Sequence, residues 1–150
     1  MKLGTIYLDG KIVPIVQGIE GKAHNLLDVC KKLEISQINS ILDLINLSKD
    51  EPDLLKNIKI STKGFAGFDP VDWVPPITNP SKILGVAFNN KELMKKAHKD
   101  PGVPNYFLKP PSALQAHEKP IIVDPEWGAV IPEPEICAVI GKRAKHITEE

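Results

Sequence analysis

Arginine is almost absent from this chain. Arg143 is the single arginine among 19 basic residues, so bidentate guanidinium recognition of phosphate or carboxylate can come from one position only. Net charge is absent as well. The 19 basic and 19 acidic residues cancel, which leaves no electrostatic case for a nucleic-acid or membrane-surface partner. Cysteine is scarce: Cys30 and Cys137 stand far apart in apolar runs. That pattern reads as two buried free thiols in a reducing compartment, and it offers neither a disulfide framework nor zinc-ligand spacing. No apolar run approaches the roughly 20 residues that span a bilayer. The start, Met1-Lys-Leu-Gly-Thr-Ile-Tyr-Leu-Asp-Gly10, lacks a signal-peptide core, so the expectation is a cytoplasmic protein. What remains is globular, 42% hydrophobic and 25% charged, with room for one ordinary domain or for a small domain plus part of a larger one.

The periodicity predicts an α+β chain. Residues 3–17 read as a hairpin about Asp9-Gly10, a strong short-turn signal. Leu26, Leu27, Cys30 and Leu33 have helical spacing within 24–35. Ser36 can cap a further helix lined by Ile38, Ile41, Leu42 and Ile45. Residues 51–57 could add a helical turn. These elements make a small α+β N-terminal domain, residues 1–62. Residues 63–81 have another texture, with Gly64, Gly67, Pro70, Pro75, Pro76 and Pro80 between Phe65, Phe68 and Trp73. Proline removes backbone donors and restricts its predecessor, so this is a linker or extended arm, and its aromatics predict that it packs against something. From Lys82 to residue 150 the expected order is a strand over 83–88, a helical pattern to about residue 99, and a loop over 100–104. A short strand ending at Pro110-Pro111, a strand over 120–124 and a buried strand over 136–140 follow.

That last strand carries the feature with the most chemistry. In Pro132-Glu-Pro-Glu-Ile-Cys-Ala-Val-Ile-Gly141, Glu133 and Glu135 are i and i+2 beside an apolar run, so in a strand both carboxylates emerge on one face. Two like charges that close repel unless a cation sits between them. Hard divalent ions such as Mg²⁺ are held this way, by one or two carboxylates with waters and substrate oxygens. Taken alone, a Glu-x-Glu pair is also what a solvated strand end looks like.

Four segments then fall in a recognisable order. Lys82-Ile-Leu-Gly-Val-Ala-Phe-Asn89, Phe107-Leu-Lys-Pro-Pro-Ser-Ala-Leu114, Ile121-Ile-Val123 and Glu133-Pro-Glu-Ile-Cys-Ala-Val-Ile-Gly-Lys142 resemble successive elements of the fumarylacetoacetate hydrolase family's catalytic domain. The first 60 or so residues resemble, more weakly, the small domain that precedes it in many members. The resemblance implies that residues 82–150 are the first part of a mostly β roll around a metal site. It implies an enzyme, a hydrolase or lyase, acting on a small 2-oxo acid or 1,3-dicarbonyl compound by C–C hydrolysis, decarboxylation or dehydration through a metal-bound enolate. Glu133 and Glu135 would be two of three carboxylate ligands to Mg²⁺ or Mn²⁺, and Lys109 would hold substrate charge. Family members are often dimers, and the arm at 65–73 could serve a homodimer contact.

Two departures from the family pattern bear on this. Where it commonly shows Asn-Tyr-x-x-His-x-x-Glu, alignment from Asn89 puts Asn90, Leu93 and Lys96 at the tyrosine, histidine and glutamate positions. Leucine cannot move a proton, so the usual water-activating dyad is missing. His98 lies about 140° around a helix from Leu93 and reads as an exposed helix-end residue. Hydrolysis is thereby weakened against decarboxylation, tautomerisation or dehydration, and a catalytically silent relative with a structural or ligand-binding role is the rival. The family's third carboxylate, an aspartate on a later strand, has no counterpart before residue 150. The expectation is therefore a segment of a longer protein, against a second chain supplying the rest or an interrupted, inactive product. Gly141-Lys142 is not a phosphate loop, because Ile136 stands where that motif needs glycine. Lys142, Arg143, Lys145 and His146 form a solvated turn without interleaved aromatics, and Ser112 is a loop residue, not a nucleophile.

Overall fold

Asp9 and Gly10 adopt φ of 49° and 75°, the left-handed conformations that a two-residue type I′ turn requires. They join β1 (Leu3–Leu8) to β2 (Lys11–Gln17), antiparallel and closed by the pair Leu8↔Lys11. The computed structural model describes all residues except 71, 99 and 150, and for Leu93 the backbone only. By contact it divides into two compact units, Met1–Ile77 with Ala116–Glu150, and Thr78–Gln115.

In the first unit, β3 (Ala23–Asn25) pairs with β2 and β4 (Trp73–Val74) with β1, giving an antiparallel sheet in the order β3-β2-β1-β4. Helix α1 (Leu26–Lys32) starts where the Asn25 side chain accepts from the Leu27 N–H at 2.9 Å. Asp28 in its first turn and Lys31 and Lys32 in its last complement the helix dipole. Helix α2 (Ile41–Leu47) is capped by Ser40, not by Ser36 as the sequence suggested. The Ser40 hydroxyl accepts from the Asp43 N–H at 3.2 Å and donates to the Asp43 carboxylate at 2.9 Å. That carboxylate also takes the Asn39 N–H at 3.0 Å. A cap that engages a residue three positions on outcompetes a lone serine. Helix α3 (Leu54–Ser61) extends the helical turn expected over 51–57.

The strands alternate their side chains between two apolar layers. Val16 joins Leu26, Val29, Cys30, Ile38, Leu44, Leu54 and Ile58 in the main core, with Leu3 packed against it. Ile6, Ile15 and Ala23 form the other layer with Phe68 and Trp73. The proline-rich arm covers that second layer, as its aromatics implied. Phe68 exchanges backbone hydrogen bonds of 2.9 Å with Ala23, and the Thr5 hydroxyl donates to the Pro76 carbonyl at 2.9 Å. Gly4 makes room for it, since a Cβ there would come within 2.8 Å of the Trp73 ring. Further along the chain, the His117 ring meets Trp73 edge-on at 5.8 Å, and Lys119 pairs with Asp72 at 2.8 Å.

Beyond Lys119 the structure corrects the sequence reading. Residues 120–124 and 136–140 form no strand; the ordered element there is a single 3₁₀ turn at Pro125–Trp127, capped by Asp124. Ile122 is 86% exposed and Ile136 fully exposed, and Cys137 is exposed where a buried thiol was expected. An apolar run becomes a strand only where another edge pairs with it, and neither run has such a partner among the described residues.

The second unit is a hairpin. β5 (Ile83–Ala87) and β6 (Asn105–Lys109) pair antiparallel, from Ile83↔Lys109 to Ala87↔Asn105. Helix α4 (Lys91–Ala97) lies between them in the chain, and a 3₁₀ turn at Pro111–Ala113 follows β6.

Candidate metal and substrate site

Lys109 closes β6. It is exposed, and its Nζ lies 5.9 Å from the centre of the Phe107 ring, two residues back on the same face of the hairpin. Pro110 and Pro111 follow at once and stop the strand, because proline offers no ladder donor. The lysine therefore stands at the end of a paired hairpin, ahead of a 3₁₀ turn.

Glu133 and Glu135 lie in the first unit, in irregular chain between Gly128 and Gly141. Both are exposed, and neither is paired with a cation among the described residues. The shared-face argument for the two carboxylates needs a formed strand, and that strand is not formed here. Among the described residues no group of three or more His, Cys, Asp or Glu side chains is close enough to hold a metal ion. The pair nevertheless suits a hard divalent cation in kind. It offers anionic oxygen donors without nitrogen or sulfur, both free of competing lysines.

The expected water-activating positions fall on α4. Asn90 opens the helix, its side chain accepting from the Glu92 N–H at 3.0 Å. Lys96 is exposed on the last turn, and the side chain of Leu93 lies outside the described residues. His98 is exposed just past the helix with φ of 49°, its N–H donating to the Lys95 carbonyl, which agrees with a helix-end role.

One polar residue escaped the sequence reading. His24 is 5% exposed, and its Nδ1 has no hydrogen-bond partner. It borders a cavity of about 20 Å³ with Glu20, Thr62 and Phe65, enough for one water. A lone histidine in a three-residue strand carries no motif, so only the structure could single it out. A larger apolar groove, about 260 Å³, lies beside Gly4, Ile15, Pro70 and Trp73. Neither cavity includes Lys109, Glu133 or Glu135.

Comparison with known proteins bears on the C-terminal part of the chain. Residues 82–150 match the family described as fumarylacetoacetate (FAA) hydrolase C-terminal. That match supports membership of the fumarylacetoacetate hydrolase family for this segment of the chain. It is also 38% identical over 72 residues to an uncharacterized protein of Pyrococcus abyssi, a match covering 47% of this chain and 32% of that protein. The chain thus spans about a third of the length of the curated relative it matches. No solved structure matches it significantly. Among the described residues no helix is long and apolar enough to cross a membrane.

Proposed function

We propose that this chain carries part of the active site of a metal-dependent hydrolase or lyase acting on a small 2-oxo acid or 1,3-dicarbonyl compound. Glu133 and Glu135 are carboxylate ligands of a Mg²⁺ or Mn²⁺ ion, and Lys109 holds anionic charge on the substrate. The observation that carries this reading is the family match over residues 82–150, which contains the Lys109 loop and the Glu-x-Glu element in family order. The division into a small domain over 1–62, an arm over 63–81 and the first part of a β roll over 82–150 belongs to the same reading. So do a cytoplasmic location, a homodimer contact through the arm and the lack of a nucleic-acid role.

When bound, the divalent ion supplies Lewis-acid polarisation of a substrate carbonyl. The rest of the work falls to side chains. Glu133 and Glu135 provide hard anionic donors whose mutual repulsion a cation relieves. The Lys109 ammonium is a compact point charge on a flexible stem, suited to a carboxylate or to charge that grows as a C–C or C–H bond breaks. Leu93 and Lys96 cannot serve as the general base that water activation needs, so decarboxylation, tautomerisation or dehydration suits this chain better than C–C hydrolysis. The same two residues favour one second reading, a catalytically silent relative that keeps ligand binding without turnover.

Isothermal titration on a protein that also holds the rest of the domain tests the proposal. Oxalate, an enolate mimic, should bind only with Mg²⁺ or Mn²⁺ present, and Glu133→Gln or Glu135→Gln should abolish that dependence. Oxalate binding that ignores the metal, or no binding at all, would sink the metal-centre reading. Metal-dependent binding without turnover of any 2-oxo acid would select the silent relative.

A further inference from the structure

The register of β5 and β6 sets Phe107 directly opposite Gly85 and Lys109 directly opposite Ile83, with all four positions on one face of the hairpin. A strand glycine leaves bare backbone with nothing packed above it. The Phe107 ring occupies that space. A Cβ at Gly85 would strike the Cζ, Cε1 and Cε2 end of the ring, so the aromatic lies across the hairpin in the way a strand glycine permits. The Lys109 ammonium stands over this ring, 5.9 Å from its centre, within reach of the negative π face. Ile83, half-buried, flanks the lysine stem from across the ladder, because directly opposed residues have neighbouring Cβ atoms. Pro110 confines the Lys109 backbone to extended conformations. Among the described residues Lys109 makes no ion pair, so its charge is not taken up by a carboxylate of the protein.

We propose that Phe107, seated on Gly85, is a positioning residue for Lys109, holding the ammonium on the Ile83–Gly85 side of the hairpin for an anionic group of the substrate. This role rests on the reading of Lys109 as the holder of substrate charge. An unrestrained lysine samples many rotamers, and fixing one of them at the moment of binding costs entropy. A ring that restrains the stem beforehand lowers that cost. The gain is preorganisation and not an added contact to the ligand. Lysine suits such an arrangement, since its methylene stem lies along apolar surface while its head stays in water. Gly85 belongs to the same device, because any side chain there displaces the ring that steers the lysine.

Nuclear magnetic resonance on the full chain tests the placement without any ligand. The side-chain methylene protons of Lys109 should be shifted upfield by the Phe107 ring current, relative to those of Lys95 and Lys96, which are exposed on α4. Phe107→Leu and Gly85→Ala should each abolish that shift and loosen the Lys109 side chain, whereas Phe107→Tyr should preserve both. Backbone proton contacts between Leu84 and Leu108, a cross-strand pair, should persist in every variant and show that the hairpin is intact. In the metal-dependent oxalate titration, Phe107→Leu and Gly85→Ala should weaken binding by about two- to fivefold, the equilibrium factor of one exposed cation–π contact. Phe107→Tyr should restore it. The double variant should lose no more than either single one, since both changes act through the same ring. Lys109 protons that resonate with those of Lys95 and Lys96 in the unsubstituted chain overturn the proposal before any variant is made. Oxalate affinity that is lost in Lys109→Met but kept in Phe107→Leu overturns the positioning role and leaves the charge-holding role of Lys109 standing. Oxalate affinity that survives Lys109→Met overturns the charge-holding role, and the positioning role falls with it.

Discussion

The same substitution made in the two units should have very unequal consequences. Leu44, on α2, is 0% exposed in the main core, whereas Leu108, on β6, is 69% exposed. Leucine to alanine removes about three methylene equivalents at about 0.8 kcal/mol each, or roughly 2.4 kcal/mol of transfer free energy. A buried site adds a cavity term, which brings measured costs to about 2.7–5 kcal/mol. Leu44→Ala should therefore cost about 3 kcal/mol, a large share of the roughly 5–15 kcal/mol that holds a typical domain together. For a unit of this size that lowers Tm by roughly 12–24 °C. Leu108→Ala gives up little that was buried and should cost less than about 0.5 kcal/mol. Urea unfolding followed by far-UV circular dichroism measures both. Trp73 fluorescence tracks the first unit, because its ring sits against His117, and Trp127, 67% exposed, should change little. Equal destabilisation by the two variants would refute the reasoning, because the hairpin would then be packed as tightly as the core.

Two further predictions concern the first unit. Ser40→Ala removes the hydroxyl that accepts from the Asp43 N–H and donates to the Asp43 carboxylate; it should cost about 1 kcal/mol in urea unfolding, while Ser36→Ala, an exposed change, stays within about 0.5 kcal/mol, and equal effects would remove Ser40 as the cap. Burial raises the Cys30 thiol above its ordinary value of 9.0, so the fold keeps the proton that the unfolded chain releases. Stability is then intact below pH 9 and falls as pH climbs toward the raised folded value, by at most about 1.4 kcal/mol per pH unit. A disulfide reagent should find Cys137 at once and Cys30 only on unfolding, and Cys30→Ala should flatten the alkaline loss; immediate reaction of both thiols would contradict the burial.

Local signals carried far in the first unit. Asp9-Gly10 specified its turn because few dipeptides tolerate two left-handed residues in succession. The helical spacing of Leu26, Cys30, Ile38 and Ile41 was readable because those positions are buried within the chain, whereas Leu42, expected on the same face, is 40% exposed and Leu44, not picked out by the spacing, is fully buried. The arm was readable as an arm that packs, and Trp73 and Phe68 are the residues by which it does so. The choice of Ser36 as a cap failed for a specific reason. Propensity alone does not separate two serines, whereas the reciprocal bonds between Ser40 and Asp43 do.

The acidic pair shows where such reading stops. Periodicity assigns Glu133 and Glu135 to one face only if residues 136–140 become a strand, and a strand is a property of two edges, not of one sequence. Five consecutive apolar residues announce that the segment is to be buried, but not by what. The proposed site is thus a list of groups, two carboxylates and a lysine, while its geometry depends on strand pairing that is not formed among the described residues. The same dependence governs affinity. Two flexible, solvated carboxylates must lose side-chain entropy and hydration before they grip an ion, so the chain alone should bind Mg²⁺ far more weakly than a protein in which neighbouring strands have already fixed them.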